Sequence, residues 1–171
     1  MISIKKATKD DLDILCAVSK DTFMETFYDM YDKGSMDRYC NDAFNQEKIL
    51  KEIETEGSYF FLAYVDNKIA GYTKINIGDA EIEKEYKDSL EIQRIYILKK
   101  FQNQHVGKTL MEYDIAFAKS LNNVKYIWLG VAPDNYKAQR FYKSFGFYKI
   151  GSHIFYLDDL EQSDDIVRLD L

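Results

Sequence analysis

Proline is nearly missing from this chain, with one residue in 171, and glycine is scarce, with eight. A sequence so poor in chain breakers holds no linker and no low-complexity segment, and the few breakers act as punctuation between regular elements. Cysteine is almost as rare. The two present, Cys16 and Cys40, lack metal-ligand spacing. This excludes a disulfide scaffold, gives no reason to expect a metal, and predicts reduced thiols in a cytoplasmic protein. No apolar run approaches the roughly 18 residues that span a bilayer. Met1–Lys6 has no long apolar stretch, so neither a signal peptide nor membrane insertion is expected. An excess of positive charge is also lacking: 23 Lys and Arg stand against 29 Asp and Glu, a net charge of −6. Nucleic-acid binding needs clustered cations and counterion release, and an anionic membrane surface needs the same sign of charge, so neither partner is expected. A cationic small molecule suits this charge.

What is present fits one globular domain covering residues 1–171. A chain of this length buries roughly 70% of its unfolded surface and needs no staple to fold. Hydrophobic residues make up 46% and charged residues 30%, the balance of a folded rather than a disordered protein. The aromatic share, 15%, reads as a core rich in Tyr and Phe.

Periodicity divides the chain. Residues 1–6 alternate as a strand. Thr8 and Asp11 form a capping pair before a helix running to about Phe27, with Leu12, Leu15, Val18 and Thr22 on its inner face. Gly34 and Ser35 are read as a break, followed by short helices over 36–43 and 46–56. Strands at 59–65 and 68–77 flank an Asp66-Asn67 turn. An acidic loop, 79–88, precedes a strand over 90–98. A helix follows over 106–121, with Val106, Leu110, Tyr113, Phe117 and Leu121 inward. The run 126–131 reads as a fully buried strand. A helix over 135–145 closes on Gly146, and the last strands are 147–156 and 166–171. The order β-α-α-β-β-β-α-β-α-β-β predicts an α/β or α+β sandwich with a mixed sheet.

Two stretches carry chemistry. In the first, a strand ending at Leu98 leads through a polar turn, Gln102-Asn103-Gln104-His105, into the helix that starts Val106-Gly107-Lys108-Thr109. Unpaired N–H groups and the positive dipole end suit a phosphate, Gly107 allows close approach, and Lys108 adds a cation. In the second, Asn135 and Tyr142 lie seven residues apart on one helical stripe, about 10 Å along the axis.

Together these stretches resemble the acyl-CoA motifs of the GNAT superfamily of N-acetyltransferases. Its phosphate turn, Gln/Arg-x-x-Gly-x-Gly/Ala, becomes Gln102-x-x-His105-x-Gly107 here, with Gln102 and Gly107 matching. Its helical motif, Asn-x-x-Ala-x-x-Phe-Tyr-x-x-x-Gly-Phe, is matched by Asn135, Ala138, Phe141, Tyr142, Gly146 and Phe147. Shorter runs, among them Ala43-Phe44-Asn45, Ser89-Leu90-Glu91-Ile92 and Ile127-Trp128-Leu129-Gly130, extend the likeness over the whole chain, toward the PaiA-type polyamine acetyltransferases. His105 departs from the pattern's glycine. If that position needs φ > 0, the substitution costs roughly 1–2 kcal/mol.

The resemblance implies a mixed, mostly antiparallel sheet with a splayed pair of strands and flanking helices, and acetyl-CoA as co-substrate. It implies that the backbone of Ile95, Tyr96 and Ile97 takes the pantetheine arm. The turn from Gln102 to Thr109, through Asn103, Gln104, His105, Val106, Gly107 and Lys108, would take the pyrophosphate, with Asn135, Lys137 and Tyr142 alongside. Glu91 is implied as general base and Tyr142 as the acid that protonates the CoA thiolate. A polyamine such as spermidine or spermine is the implied acceptor, with Glu25, Asp29, Asp32, Glu81 and Glu83 as candidates for a cation-attracting cleft. A protein N-terminus, a lysine, an aminoglycoside, or a non-catalytic acyl-CoA-binding regulator are the alternatives. A homodimer is an expectation of the resemblance alone.

Overall fold

In the computed structural model the described residues are 1–157 and 159–171, without the side chains of Phe155 and Leu157. One seven-stranded sheet runs in the order β1-β2-β3-β4-β5-β7-β6. The strands are β1 (Ile2–Lys6), β2 (Ser58–Val65), β3 (Lys68–Ile77), β4 (Ser89–Ile97), β5 (Tyr126–Val131), β6 (Tyr148–Leu157) and β7 (Leu160–Asp170). The helices are α1 (Leu12–Phe27), α2 (Lys33–Ala43), α3 (Gln46–Glu54), α4 (Val106–Ser120) and α5 (Tyr136–Ser144). All neighbouring strands pair antiparallel except β4 and β5. The mixed, mostly antiparallel sheet is therefore the expected one. Among the described residues no helix is long and apolar enough to cross a membrane.

The helices cover both faces. Successive residues of β3 show this: Thr73 hydrogen-bonds Asp114 of α4, while Lys74 pairs with Glu52 of α3. Helices α1–α3 pack over Phe60, Leu62, Ala70 and Tyr72. Helix α5 packs over Leu129, Val131 and Phe147 on the other face.

Local signals act as read from the sequence at several points. Thr8 and Asp11 form a full capping box, although it opens a 3₁₀ turn, Lys9–Asp11, that runs into α1. Asp66 and Asn67 both have positive φ, 46° and 64°, the pair of values a tight hairpin turn requires. Gly146 closes α5 at φ 97°, and the Phe147 N–H reaches back to the Tyr142 carbonyl.

Five readings need correction. Gly34 and Ser35 do not break the chain; Asp32 caps α2 by accepting from the Ser35 N–H at 2.8 Å, and both residues lie in its first turn. All three helices read before β2 are present, so the element order written with two is one helix short. On α4 the buried residues are Val106, Leu110, Met111, Asp114 and Ala118, while Tyr113 is exposed along its rim. A polar residue inside the stripe hides it from a hydrophobic count. In β5, Gly130 is exposed within an otherwise buried strand. Finally, β7 begins at Leu160, because the polar run 160–165 is drawn into the sheet by main-chain pairing with β6 rather than by burial.

Candidate active site

The parallel pairing of β4 with β5 lasts only from Ser89↔Tyr126 to Glu91↔Trp128. Beyond it the two strands splay. β4 runs on to Ile97 with β3 on one side and no strand on the other. Leu98 donates its N–H to the Ala70 carbonyl at 2.9 Å. By antiparallel alternation Tyr96 faces β3 too, and Ile95 and Ile97 turn their main-chain groups toward the gap. The Ile97 carbonyl accepts from Gln102 Nε2 at 3.2 Å, on that open side. On the closed side Gly71 is obligatory, since a Cβ there would run into the Tyr96 carbonyl.

The gap opens into a cavity of about 1010 Å³. At one end sits the start of α4. No side chain caps it, whereas Asp32, Asn45 and Asn135 cap α2, α3 and α5. Its first N–H groups and dipole therefore face the cavity and are a fit for a diphosphate. His105 occupies the cap position in the left-handed region, φ 64° and ψ 7°, so the positive φ falls on the residue that replaces the pattern's glycine. Asn103 is also left-handed, at φ 62°. Gly107 has no such backbone, and a Cβ there would only touch Ile97 and Phe141 at 3.6 and 3.7 Å. Lys137 donates to Gln102 Oε1 at 2.6 Å, joining α5 to the turn.

Of the residues singled out from the sequence, Glu91, Ile95, Tyr96, Ile97, Gln102, Asn103, His105, Val106, Gly107, Lys108, Asn135, Lys137 and Tyr142 line this cavity. Gln104 and Thr109 do not. Gln104 donates to the Lys100 carbonyl and the Thr109 hydroxyl to the His105 carbonyl. Asn135 spends its side-chain oxygen on the Ala138 N–H, as a helix cap.

Glu91 is buried, 1% exposed. Its Oε2 accepts from Asn76 Nδ2 at 2.9 Å and from the Ile82 N–H at 3.0 Å. Burial pushes its pKa up to about 7, against the pull of these two donors and of Lys74. Tyr142 is half-buried and packs edge-on to Phe141 and Phe147. Burial raises its phenol above the ordinary value, so it stays a proton donor at neutral pH.

The acids proposed for the acceptor cleft are mostly committed elsewhere. Glu25 accepts from the Lys99 N–H, Asp32 caps α2, Asp29 is exposed away from the cavity, and Glu81 is buried under Ser89 and Trp128. Glu83 touches the site only through His153, whose Nδ1 lies 3.0 Å from its Oε1. The acids that line the cavity are Glu91, Asp134 and Asp164. Asp164 lies 3.9 Å from His153 Nε2, and burial raises its pKa. The lining also includes an aromatic wall of contiguous rings, Phe23, Phe27, Tyr31, Tyr39, Phe44 and Tyr96. Arg94 on that wall is matched by Glu52 through hydrogen bonds of 2.7 and 2.9 Å. Sequence reading missed these residues because α1, α2, β5 and β7 meet here only in the fold. Among the described residues no group of His, Cys, Asp and Glu is placed to hold a metal.

Comparison with known proteins agrees with this geometry. The profile of the acetyltransferase (GNAT) family matches residues 20–147. An uncharacterized N-acetyltransferase of Lactobacillus delbrueckii subsp. lactis is 34% identical over 167 residues, 98% of this chain and 96% of its own. The spermidine N(1)-acetyltransferase of Thermoplasma acidophilum is 24% identical over 114 residues, 64% of this chain and 66% of its own. The crystal structure of the PaiA N-acetyltransferase from Thermoplasma acidophilum in complex with coenzyme A superposes with a TM-score of 0.82 at 22% identity, covering 100% of this chain and 99% of that one. A splayed sheet, an uncapped helix start facing the gap and a family profile over most of the chain lead to one conclusion: this protein belongs to the acetyltransferase (GNAT) family and is an N-acetyltransferase that uses acetyl-CoA.

Proposed function

We propose that the acceptor is a primary amine of a small polycation, a polyamine such as spermidine or spermine, acetylated by direct transfer within a ternary complex. The observation that carries this reading is the cavity lining, which combines the acids Glu91, Asp134 and Asp164 with an aromatic wall. Ammonium groups are held by carboxylates and by aromatic faces, and the methylene chain between them by apolar surface. The likeness to a spermidine acetyltransferase points the same way.

Glu91 takes the proton that an ammonium must lose before attack, and a carboxylate poised near neutrality suits that task. The amine nitrogen then attacks the thioester carbonyl carbon. A main-chain N–H of the 95–97 segment faces the developing oxyanion. The C–S bond breaks, Tyr142 gives its phenolic proton to the departing thiolate, and the proton shed by the new amide nitrogen restores the phenol. The start of α4 holds the pyrophosphate.

The test is thiol release from acetyl-CoA with spermidine, an amino-terminal peptide, a lysine peptide and an aminoglycoside. Spermidine is expected to show the highest kcat/KM. A peptide or an aminoglycoside ahead of spermidine overturns the acceptor assignment.

A further inference from the structure

Asn76 is 1% exposed and does not line the cavity, yet it touches the group that does. It stands directly opposite Glu91 across β3 and β4, and Lys74 stands opposite Arg94. Between these pairs the ladder slips by one, leaving Gln93 as the extra residue of a bulge. Asn76 Nδ2 donates to Glu91 Oε2 at 2.9 Å and to Gln93 Oε1 at 3.0 Å. Lys74 Nζ donates to the same Gln93 oxygen.

The donors and acceptors allow one arrangement. An ammonium only donates, so the Gln93 atom beside Lys74 is its oxygen. That oxygen and the Glu91 carboxylate only accept, so Asn76 presents its NH₂ to both. Ser58 Oγ then donates to Asn76 Oδ1 at 2.9 Å and locks the amide from behind. With the Ile82 N–H also on Oε2, that oxygen is fully taken. Oε1 has no hydrogen bond among the described residues and is the atom left for the cavity.

We propose that Asn76 is a positioning residue for the reaction: it pins Oε2 of Glu91, makes Oε1 the single proton-exchanging atom, and links that carboxylate through Gln93 to the Lys74 ammonium. This rests on the reading of Glu91 as base. The charged groups around that carboxylate are Lys74 from β3, Glu81 from the segment before β4, and, beyond Lys74, Glu52 of α3 with Arg94 of β4. Of these, Lys74 favours the ionised form and Glu81 opposes it.

The experiment is the pH profile of kcat/KM for Asn76→Ala and Glu91→Gln, with Asn76→Ser replacing the alanine variant should that one fail to fold. Losing a hydrogen bond to a carboxylate moves the acid limb up by about 1 pH unit, so kcat/KM below the limb falls about tenfold and recovers at alkaline pH. The KM for acetyl-CoA is expected to hold. An acid limb unmoved in the Asn76 variant, with Glu91→Gln inactive, overturns the positioning role alone. An active Glu91→Gln with a normal profile overturns the base reading and this inference with it.

Discussion

Asp114 should make this enzyme less stable as the pH rises through neutrality, and Asp114→Asn should remove that trend. The side chain is fully buried on α4. Thr73 Oγ1 lies 2.8 Å from Oδ2, and Oδ1 has no partner among the described residues. The same hydroxyl lies 3.0 Å from the Arg94 carbonyl. One hydroxyl has one proton. Both contacts are satisfied only if Asp114 is a neutral acid that donates to Thr73 while Thr73 donates to Arg94. Burial agrees, pushing the pKa from 3.8 to about 8.

The sign follows from linkage. Between these two values the unfolded chain has released the proton that the folded chain keeps. The stability this proton provides is fully present below the unfolded pKa, declines by about 1.4 kcal/mol per pH unit, and is gone above the folded pKa. At pH 7 the accumulated loss is about 4 kcal/mol. Asparagine keeps a donor to Thr73 and cannot ionise, at the expense of a further buried polar group worth about 1–3 kcal/mol unpaired. Asp114→Asn should therefore exceed the parent by about 1–3 kcal/mol near neutral pH and lose the advantage near pH 4. Urea unfolding of both proteins across this range measures it directly. Curves that run parallel with pH, or a parent whose stability climbs through the window, would refute the neutral acid.

Tyr142→Phe is expected to lower kcat about tenfold or more with little change in acetyl-CoA binding; single-turnover rates beside a CoA titration check this, and normal turnover removes the phenol from the mechanism. His105→Gly relieves left-handed strain of roughly 1–2 kcal/mol, partly offset by glycine's greater unfolded-state entropy. A net gain of about 0.5–1 kcal/mol in thermal unfolding, without a weaker KM for acetyl-CoA, is the expected result, and a loss of stability would show that the imidazole makes a contribution of its own.

The elements proposed to hold acetyl-CoA could be picked out from the sequence because they are local. The turn, the helix start and the Asn135–Tyr142 stripe lie on contiguous segments, and even the need for positive φ at His105 could be posed in advance. The part of the cavity proposed for the acceptor was not legible, because its lining comes from α1, α2, β5 and β7, which are far apart in the chain. Counting carboxylates there favoured Glu25, Asp32 and Glu81, whose oxygens turn out to serve a backbone N–H, a helix cap and a buried indole. Asp134 and Asp164 carry no local mark that separates them from other surface acids.

The bulge at Gln93 explains why a period-two reading of β4 also fails where it matters most. In a regular strand Glu91, Gln93 and Ile95 would share one face, and Ile92, Arg94 and Tyr96 the other. The extra residue shifts the phase. Glu91 and Gln93 meet Asn76 and Lys74, and Arg94 and Tyr96 then fall on that same face, against Phe44, Glu52 and Phe27. Because the bulge absorbs the extra residue, the buried acid and the aromatic wall keep to one side of the sheet. It does so just past Glu91↔Trp128, where β5 stops pairing and the main chain of Ile95 and Ile97 faces the gap. Deleting Gln93 would leave Glu91, Arg94 and Tyr96 in plain alternation on that same face, so what the extra residue adds is the amide that joins Asn76 to Lys74.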